Sequence, residues 1–448
     1  MLILSIGYSQ VRIDDWKALT SPLNVRDLTN LDNELFAATE GGIFHIKDQV
    51  YETYTTVDGL LGVDLAAIDH DHNSNIWIGG NVPFGFLQVY DPKENKSIIS
   101  FDFDLTGILD IQVLDSLAFV LFQDGQDFGI MKFLYNDGWE YRDSFRNFPV
   151  AVGSINCFLA NDSTLFIGTN YGIYLGNLFE NLKDPNRWQA IDDAMDFEVT
   201  SATFNDSFIS FSSKTNLYEL SILSGNWEAI NFSYSFINIS EIIVNENDYW
   251  IIDQKKLYRK SNTSDALLEN RYWLSGITRV NNQMIVGARN GLLFIENLDN
   301  GNEMVTRFLP NAPVTSGFSA ITVLDDGRLV GGSAQGISIY NDEGWRNILE
   351  IKTINTDTIH SNYDYSHFIA DTVSHDFGGF IADLEQGPDG LLYCAIRGSY
   401  VSNTAPNRTS GGVIILDVDD PSNITLIDTT YLSFHTTQSN SEPYMVVL

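Results

Sequence analysis

The sequence contains very little cysteine, with only Cys157 and Cys394 among its 448 residues. A framework of several disulfides needs more thiols, and so does a zinc site built on clustered thiolates, so the composition excludes both. Each cysteine occurs in an apolar, strand-like run of residues. This context predicts two buried side chains that act as small hydrophobic residues.

Positive charge is also scarce, since 25 Lys and Arg residues stand against 59 Asp and Glu residues, giving a formal net charge of −34. A surface this acidic repels phosphate backbones and anionic headgroups, so we predict no nucleic-acid partner and regard membrane surfaces as poor candidate partners. The acidic residues are spread along the chain, as in a hydrated surface rather than an interaction tail. No apolar run approaches the roughly 20 residues that span a bilayer, so no transmembrane helix is predicted.

The start of the chain is a short apolar run, MLILSIGYSQ, at residues 1–10. It ends in small and polar residues but lacks the basic segment that opens a signal peptide. We interpret it as the remnant of a signal peptide, with a short first strand as the competing interpretation. The first interpretation predicts an extracytoplasmic protein, located in the periplasm, at the outer-membrane surface or in the medium.

What the sequence does contain is a repeat of about 40 to 50 residues, a period typical of β-propellers. Each repeat has a polar turn, a strand, a turn with glycine and another strand. The clearest copies are LDNELFAATEGGIFHI (31–46), NDSTLFIGTNYGIYL (161–175), NNQMIVGARNGLLFI (281–295) and DDGRLVGGSAQGISIY (325–340). No long amphipathic helix interrupts them, so we predict an all-β fold of four-stranded propeller blades.

Specific residue types mark each strand of the repeat. Asn, Asp and Gly precede the second strand because they tolerate the positive φ angles of tight hairpins. A glycine precedes the third strand, and a tryptophan often opens the outer strand. The glycines are Gly42, Gly172, Gly291 and Gly336, and the tryptophans are Trp139, Trp188, Trp227 and Trp345. Trp16 holds the same register ahead of the first repeat, which predicts an outer strand whose blade lies elsewhere in the chain.

Nine repeats can be counted from their innermost strands. They begin near Asn24, Leu65, Ile108, Gly153, Val199, Asn238, Ser275, Phe318 and Phe380. Because nine exceeds the usual four to eight blades of one ring, we predict a seven-bladed propeller over residues 11–310 and the first blades of a second, incomplete propeller over residues 311–448. An eight-bladed ring is the alternative. The final residues, SEPYMVVL, are similar to the first strand of another blade, so we expect the sequence to be a fragment.

Two stretches resemble a known family. The segment 16–46, the turn Thr55-Thr56-Val57-Asp58-Gly59-Leu60 and DHNSNIWIGG at residues 71–80 resemble the two-component regulator propeller repeats. The opening at residues 21–25, together with the sign of a second ring, is most similar to the PorZ-type double β-propellers of bacterial type IX secretion. Gly79-Gly80 departs from the usual Gly-Thr ending, and the repeats around residues 205–218 and 246–258 have lost most of the consensus.

The resemblance implies a non-enzymatic binding module or scaffold outside the cytoplasm, either a secretion-associated surface protein or exported cargo. Protein partners or an anionic glycan such as lipopolysaccharide are the partners that it implies. Related propellers form the periplasmic sensor of hybrid two-component histidine kinases, which is the alternative function. A polysaccharide-acting enzyme is a third hypothesis, although the sialidase box, the nucleophile elbow and the nucleotide-binding loops are missing from the sequence.

The residues give no firm catalytic, cofactor or metal site. The run Asp69-x-Asp71-x-Asn73-x-Asn75 has the alternation of a calcium loop but lacks its central glycine and final glutamate, so a hairpin turn is the preferred interpretation. His70 and His72 flank Asp71 in the same segment.

The most unusual loop is an insertion at residues 351–376, which we predict as the first contact surface to test because loops on rigid scaffolds often bind partners. It is rich in His and Asp, with His360, Asp364, His367, Asp371, His375 and Asp376. A solvated polar loop is the alternative to a metal site there. Among the aromatic residues, Tyr363, Tyr365 and Tyr400 are candidate contacts for sugars.

Overall fold

The computed structural model describes residues 17–352 with short gaps, and several shorter stretches after them. The gaps fall at residues 49, 193–194, 206–207, 233, 246–247, 261–265, 299–302 and 342. Beyond residue 352 the described stretches are 374–376, 380–397, 399–400, 408–409, 412–419 and 425–431. The expectations for residues 1–10, Trp16 and the final eight residues lie outside this described part.

The chain divides into two compact units between Pro310 and Asn311, with Leu19–Ser21 belonging to the second unit. In the first unit, seven sheets each contain four consecutive strands in meander order. Blade 1 comprises β1 (Val25–Leu31), β2 (Glu34–Thr39), β3 (Gly42–Lys47) and β4 (Val50–Tyr54). Blade 2 comprises β5 (Asp64–His70), β6 (Ile76–Val82), β7 (Gly85–Asp91) and β8 (Lys96–Leu105). Blade 3 comprises β9 (Gly107–Val113), β10 (Leu117–Asp124), β11 (Asp127–Tyr135) and β12 (Trp139–Phe145).

The remaining blades of the first unit follow the same order, with shorter outer strands. Blade 4 comprises β13 (Ile155–Ala160), β14 (Thr164–Thr169), β15 (Gly172–Asn177) and β16 (Trp188–Ala190). Blade 5 comprises β17 (Ser201–Asn205), β18 (Phe208–Ser212), β19 (Leu217–Ser221) and β20 (Trp227–Ile230). Blade 6 comprises β21 (Ile239–Asn245), β22 (Asp248–Asp253), β23 (Lys256–Arg259) and β24 (Leu268–Glu269). Blade 7 comprises β25 (Leu274–Val280), β26 (Gln283–Ala288), β27 (Gly291–Glu296) and β28 (Met304–Phe308).

Among the described residues, the second unit holds two further four-stranded sheets and two two-stranded sheets. The eighth sheet comprises β29 (Ala320–Val323), β30 (Leu329–Ser333), β31 (Gly336–Asn341) and β32 (Gly344–Ile348). The two-stranded sheets are β33 (Glu350–Lys352) with β34 (Ser374–Asp376), and β37 (Ser399–Tyr400) with β38 (Arg408–Thr409). The ninth sheet comprises β35 (Phe380–Gln386), β36 (Leu392–Arg397), β39 (Gly412–Asp417) and β40 (Thr425–Tyr431).

The predicted all-β fold of four-stranded propeller blades is confirmed, and every innermost strand begins within two residues of its predicted position. Local chemistry explains the turns. Asp32 and Asn33 have φ angles of 54° and 65°, as a two-residue hairpin requires. Gly42 has a φ of 121°, and a β-carbon there would lie 2.0 Å from the Tyr54 carbonyl oxygen. Only glycine therefore fits where the third strand begins beside the end of the outer strand.

Helical structure is minor in the described chain. It consists of two single 3-10 turns, Thr56–Asp58 and Pro185–Arg187. Among the described residues, no helix combines the length and the apolar character needed to cross a membrane.

The core of the first unit lies between the blades rather than within them. The described residues form seven apolar clusters there, one for each pair of neighbouring blades, including the pair formed by blades 7 and 1. In that last pair, Val25 and Leu28 of blade 1 pack with Ile285 of blade 7. Because neither face of an isolated four-stranded blade is covered, this stacking is the main source of stability.

Polar contacts also join the last blade of the ring to the first. The Ser275 hydroxyl donates to the Val25 carbonyl oxygen at 2.5 Å, and Nδ2 of the Asn30 side chain donates to the Arg279 carbonyl oxygen at 2.7 Å. All four strands of each blade are consecutive in sequence, so no blade is shared between distant segments. Side-chain packing and these hydrogen bonds therefore close the seven-bladed ring.

The eighth sheet leaves one flank uncovered. Ile321 of β29 pairs with Gly331, as Leu28 of β1 pairs with Ala37, so the two side chains hold the same place in their blades. Leu28 is 8% exposed because blade 7 covers it, whereas Ile321 is 62% exposed and Val323 nearby is also 62% exposed. The second unit therefore presents an apolar flank of the kind that ring closure buries in the first unit.

This difference predicts unequal costs for two matched substitutions. Leu28→Ser removes a side chain from a packed interface and leaves a cavity, so we expect the first unit to lose about 3 kcal/mol of stability. Ile321→Ser exchanges an exposed side chain, so its cost should stay within about 0.5 kcal/mol. Calorimetric melting of both variants measures the difference, and equal shifts would contradict the structural equivalence described above.

Candidate functional site

The ring centre of the first unit is lined by equivalent positions of the seven innermost strands. Each of these positions pairs with the same place in the second strand of its blade. The occupants are Asp27, Ala67, Asp110, Cys157, Ser201, Glu241 and Ser275. Three of the seven therefore carry carboxyl groups, and the sequence repeat gave no signal for them.

These side chains join neighbouring blades. Oδ2 of Asp27 accepts from the Ile68 amide at 2.9 Å, and Oε1 of Glu241 accepts from the Ile277 amide at 3.0 Å. In the same way the Ser201 hydroxyl accepts from the amide of the next innermost strand. The inner edge of each innermost strand has no further strand to pair with, and an unpaired buried amide is costly. These contacts therefore satisfy backbone amides along that edge.

Burial and mutual repulsion perturb the acids of this ring. Burial, reinforced by neighbouring carboxylates, raises the pKa of Asp27 to about 7 and that of Glu241 to about 8. The same causes raise the pKa of Asp110 well above its usual value. Burial therefore favours the protonated form of each of the three groups, and perturbed acids of this kind are also common at catalytic sites.

The surroundings of these acids favour a structural role. Cys157 lies in the same ring, and burial raises the pKa of its thiol to about 12, so it is a poor nucleophile. Among the described residues, no group of three or more His, Cys, Asp and Glu side chains is arranged to hold a metal ion. The carboxyl groups of Asp27, Asp110 and Glu241 accept hydrogen bonds from backbone amides.

A second polar cluster lies toward the outside of blade 1. His45 stacks on Phe36 with ring centroids 4.1 Å apart, and its two ring nitrogens lie 3.0 Å from Glu52 and 2.8 Å from Glu34. The imidazole thereby ties together strands β2, β3 and β4, and each of its ring nitrogens lies within hydrogen-bond distance of a carboxylate oxygen.

The calcium-like run is a hairpin turn. Oδ1 of Asp71 accepts from the amides of Asn73 and Asn75, and its Oδ2 accepts from the indole nitrogen of Trp139 at 2.8 Å. Asp71 is 2% exposed and is surrounded by N–H donors, which suit a carboxylate and repel a cation. Asp69 caps the Val113 amide at 2.7 Å, so its carboxylate also joins two blades.

Only the two ends of the insertion at residues 351–376, the predicted contact loop, lie among the described residues. Ile351 and Lys352 pair with His375 and Ser374, which makes the base of the insertion a short antiparallel ladder. Tyr400 lies in β37. The other candidate residues of the insertion lie outside the described residues: His360, Asp364, His367, Asp371, Tyr363 and Tyr365.

Exposed apolar side chains occur at both ends of the blades. The turn between the second and third strands and the connection to the next blade lie at the same end, because neighbouring strands are antiparallel. We call this end of the ring the upper face. Its exposed apolar residues are Val57, Leu61, Val82, Phe84, Leu109, Val150, Tyr171, Ile237, Trp273 and Leu309.

Part of this set forms one contiguous patch, made of Leu61, Val82, Phe84 and Leu109. A β-carbon on Gly62 would lie 2.4 Å from the Val82 carbonyl oxygen, and one on Gly85 would lie 2.6 Å from the Gly107 amide nitrogen. The loops that carry the four side chains are therefore in contact. A contiguous apolar patch is more informative than scattered exposed residues, because it often marks a binding surface.

Comparisons with solved structures identify a similar fold. PorZ is described as an essential bacterial surface component of the type-IX secretion system of human oral-microbiomic Porphyromonas gingivalis, and it matches 92% of this chain and 67% of its own with a TM-score of 0.58 and 12% identity. The chain shares its fold with PorZ. The fold that the resemblance implied is thus confirmed, although 12% identity says nothing about activity.

Other matches are more distant. Two structures of the extracellular domain of BT4673 from B. thetaiotaomicron, described as a putative one component and a putative hybrid two component system, match with TM-scores of 0.49 at 12% and 13% identity. This chain covers 88% and 90% of its own length in those matches and spans 56% and 51% of the BT4673 chains. No family model and no curated protein sequence matches the chain.

The raised pKa values predict how stability depends on pH. Between the unfolded pKa of Glu241, 4.5, and its folded pKa of about 8, the folded state holds more protons, so stability falls as pH rises. Each such group contributes a slope of up to about 1.4 kcal/mol per pH unit. Glu241→Gln and Asp110→Asn should therefore melt at higher temperature than the parent protein at pH 8, with a smaller gain at pH 5.

The control for this experiment is Asp184→Asn. Hydrogen bonds from Asn186 lower the pKa of Asp184, which lies in an exposed loop, so its replacement should give no gain at pH 8. Melting curves from pH 5 to 9 provide the measurement. If Glu241→Gln and Asp110→Asn lost stability equally at every pH, the raised pKa values assigned to the buried acids of the ring centre would be wrong.

Proposed function

We propose that this chain is a non-enzymatic binding module that acts outside the cytoplasm, as a scaffold associated with type IX secretion or as cargo of that route. One observation carries the binding role: Asp27 and Glu241 at the ring centre accept hydrogen bonds from the neighbouring blade, while apolar side chains stand exposed on the upper face. The likeness to PorZ in fold supports the connection with secretion.

The contiguous patch on blades 2 and 3 is the proposed contact surface. Phe84 is 39% exposed and Val82 is 55% exposed, so a partner that covered them would remove apolar area from water. Asn81 holds this region in place, because its side chain accepts from the Ile108 amide at 3.1 Å. A rigid scaffold that presents an apolar patch suits a protein partner.

A sensor domain of a hybrid two-component kinase is the second candidate. It is favoured by the Thr-Val-Asp-Gly-Leu turn, which forms a capped 3-10 turn with the Thr55 amide donating to Asp58 at 2.8 Å. That turn is typical of two-component regulator propellers, as the sequence resemblance implied. A scaffold and a sensor differ in what their loss does to the cell.

Deletion of the gene in the source bacterium distinguishes these roles. We expect exported type IX cargo at the cell surface to fall several-fold, as measured by surface proteolysis of intact cells and immunoblotting. Val82→Ser/Phe84→Ser should fail to restore it. The control Phe179→Ser/Leu223→Ser, which alters residues that are 82% and 92% exposed at the opposite end of the blades, should restore it. Normal cargo with lost transcription of a regulon would favour the sensor.

We further propose that residues 311–448 open a second propeller. The exposed flank of β29, with Ile321 and Val323, supports this because the matching flank of the first ring is covered by a seventh blade. In the protein as the source organism produces it, Ile321→Ser should then cost about as much stability as Leu28→Ser. An Ile321→Ser variant that remained neutral in that protein would argue against a second closed ring.

A further inference from the structure

The turn that carries Leu61 of the contiguous patch is held in place by a buried glutamine. Gln88 is 0% exposed in the apolar strand β7, where a polar side chain is costly unless its hydrogen bonds are made. Its side-chain nitrogen donates to the Gly59 carbonyl oxygen at 2.9 Å, and its side-chain oxygen accepts from the Leu61 amide at 3.0 Å. The Tyr90 hydroxyl donates to the Asp58 carbonyl oxygen of the same turn at 3.1 Å. Buried polar groups thus fix the position of an exposed apolar residue.

The other loops of the patch are fixed by side chains as well. Asn81 accepts from the Ile108 amide at 3.1 Å, which ties the end of β6 to the start of β9. The Thr106 hydroxyl accepts from the Gly125 amide at 2.7 Å, which brings the turn at residues 124–127 against the same segment. A surface that is already ordered loses little conformational entropy when a partner covers it.

Acidic side chains lie in the loops beside the patch. Asp58 belongs to the turn that carries Leu61, and its carboxylate accepts from the amide and the hydroxyl of Thr55 at 2.8 and 3.1 Å. Both donors are neutral, so these bonds do not neutralise the carboxylate. Asp127 is exposed in the turn at residues 124–127, which contacts the segment leading to Leu109.

Two arginines lie at the same end of blades 1 and 3. Nη2 of Arg26 lies 2.6 Å from a carboxylate oxygen of Asp64, and Nη1 of Arg146 lies 2.6 Å from one of Asp124. Each of these ion pairs is neutral as a whole, so neither arginine balances the acids of the two turns. The surroundings of the patch therefore have the same sign of charge as the whole chain, whose net charge is −34.

We propose that the contiguous patch binds a short basic segment of a partner protein, in which Lys or Arg residues flank apolar side chains. Apolar contact with Val82 and Phe84 supplies the affinity, while Asp58, Asp127 and the overall charge select the partner. A second copy of the chain, a nucleic acid and an anionic glycan are all repelled by that charge. The inference rests on the proposed binding role of this patch and names the chemistry of its partner.

A random dodecapeptide phage library, panned on the whole chain at about 0.15 M salt, tests this proposal. We expect peptides recovered on the parent protein to contain at least twofold more Lys and Arg than those recovered on Val82→Ser/Phe84→Ser. That variant has the same net charge as the parent, so non-specific attraction to an acidic protein cannot produce the difference. The strongest basic peptide should bind the variant at least tenfold more weakly by fluorescence polarisation. The melting temperature should change little, because both side chains are exposed.

The matched control is Phe179→Ser/Leu223→Ser, which removes exposed apolar side chains at the opposite end of the blades. It should recover the parental peptide pool. Equal Lys and Arg content in the three pools would overturn the proposal, because the patch would then have no part in the selection.

The contribution of the acids is tested by Asp58→Asn/Asp127→Asn. The amide oxygen introduced at position 58 can still accept from Thr55, so the turn keeps its cap. We expect this variant to bind the strongest basic peptide severalfold more weakly than the parent at about 0.15 M salt. The difference should shrink near 1 M salt, where charge effects reach only roughly 3 Å. A difference that did not depend on salt would contradict selection by charge.

The control for the acids is Asp115→Asn/Asp137→Asn, which makes the same change in net charge in exposed turns at the opposite end of blade 3. It should bind the peptide as tightly as the parent does. Equal losses in the two charge variants would mean that net charge alone attracts the peptide, and the proposed site would be wrong.

Further results separate this site from other possibilities. Selection of apolar peptides without Lys or Arg would refute the basic partner. Binding of oligogalacturonate that is lost in Val82→Ser/Phe84→Ser, without selection of basic peptides, would assign the patch to an anionic saccharide instead. If basic peptides are not selected but the same variant fails to restore surface cargo, the partner chemistry is wrong and the contact surface stands. If basic peptides are selected but gene deletion leaves cargo unchanged, the peptide site stands and the secretion role fails.

Discussion

Blade-on-blade packing is the constraint on which the structure depends. A four-stranded meander has two apolar faces and cannot cover either of them alone, so each blade is stable only between two neighbours. Seven clusters of buried side chains meet this requirement around the first ring, and the last cluster joins Leu28 to Ile285 across the point of closure. The contrast with Ile321, which occupies the same position in β29 but is 62% exposed, shows what a blade is like when one neighbour is missing.

Closure creates a second problem at the ring centre, where every innermost strand has a free edge. Asp27, Ser201 and Glu241 solve it by accepting from amides of the next blade. The cost is that several carboxyl groups lie close together away from bulk water, which raises the pKa of each of them. Raised pKa values are often a sign of catalysis. Here the geometry favours an architectural role, because Asp27 and Glu241 join neighbouring blades and Asp110 accepts from the Ile111 amide of its own strand.

The sequence predicted the blades well because the repeat is a local pattern. Turn residues such as Asp32 and Asn33 and the outer-strand Trp139 act within or next to their own blade, so they recur at a fixed spacing. The acids at the ring centre were not predicted. A single aspartate in an apolar strand, such as Asp110, carries no periodic signal, and its neighbours come from other blades. The bond from Trp139 to Asp71, 68 residues away, was likewise invisible until the chain closed.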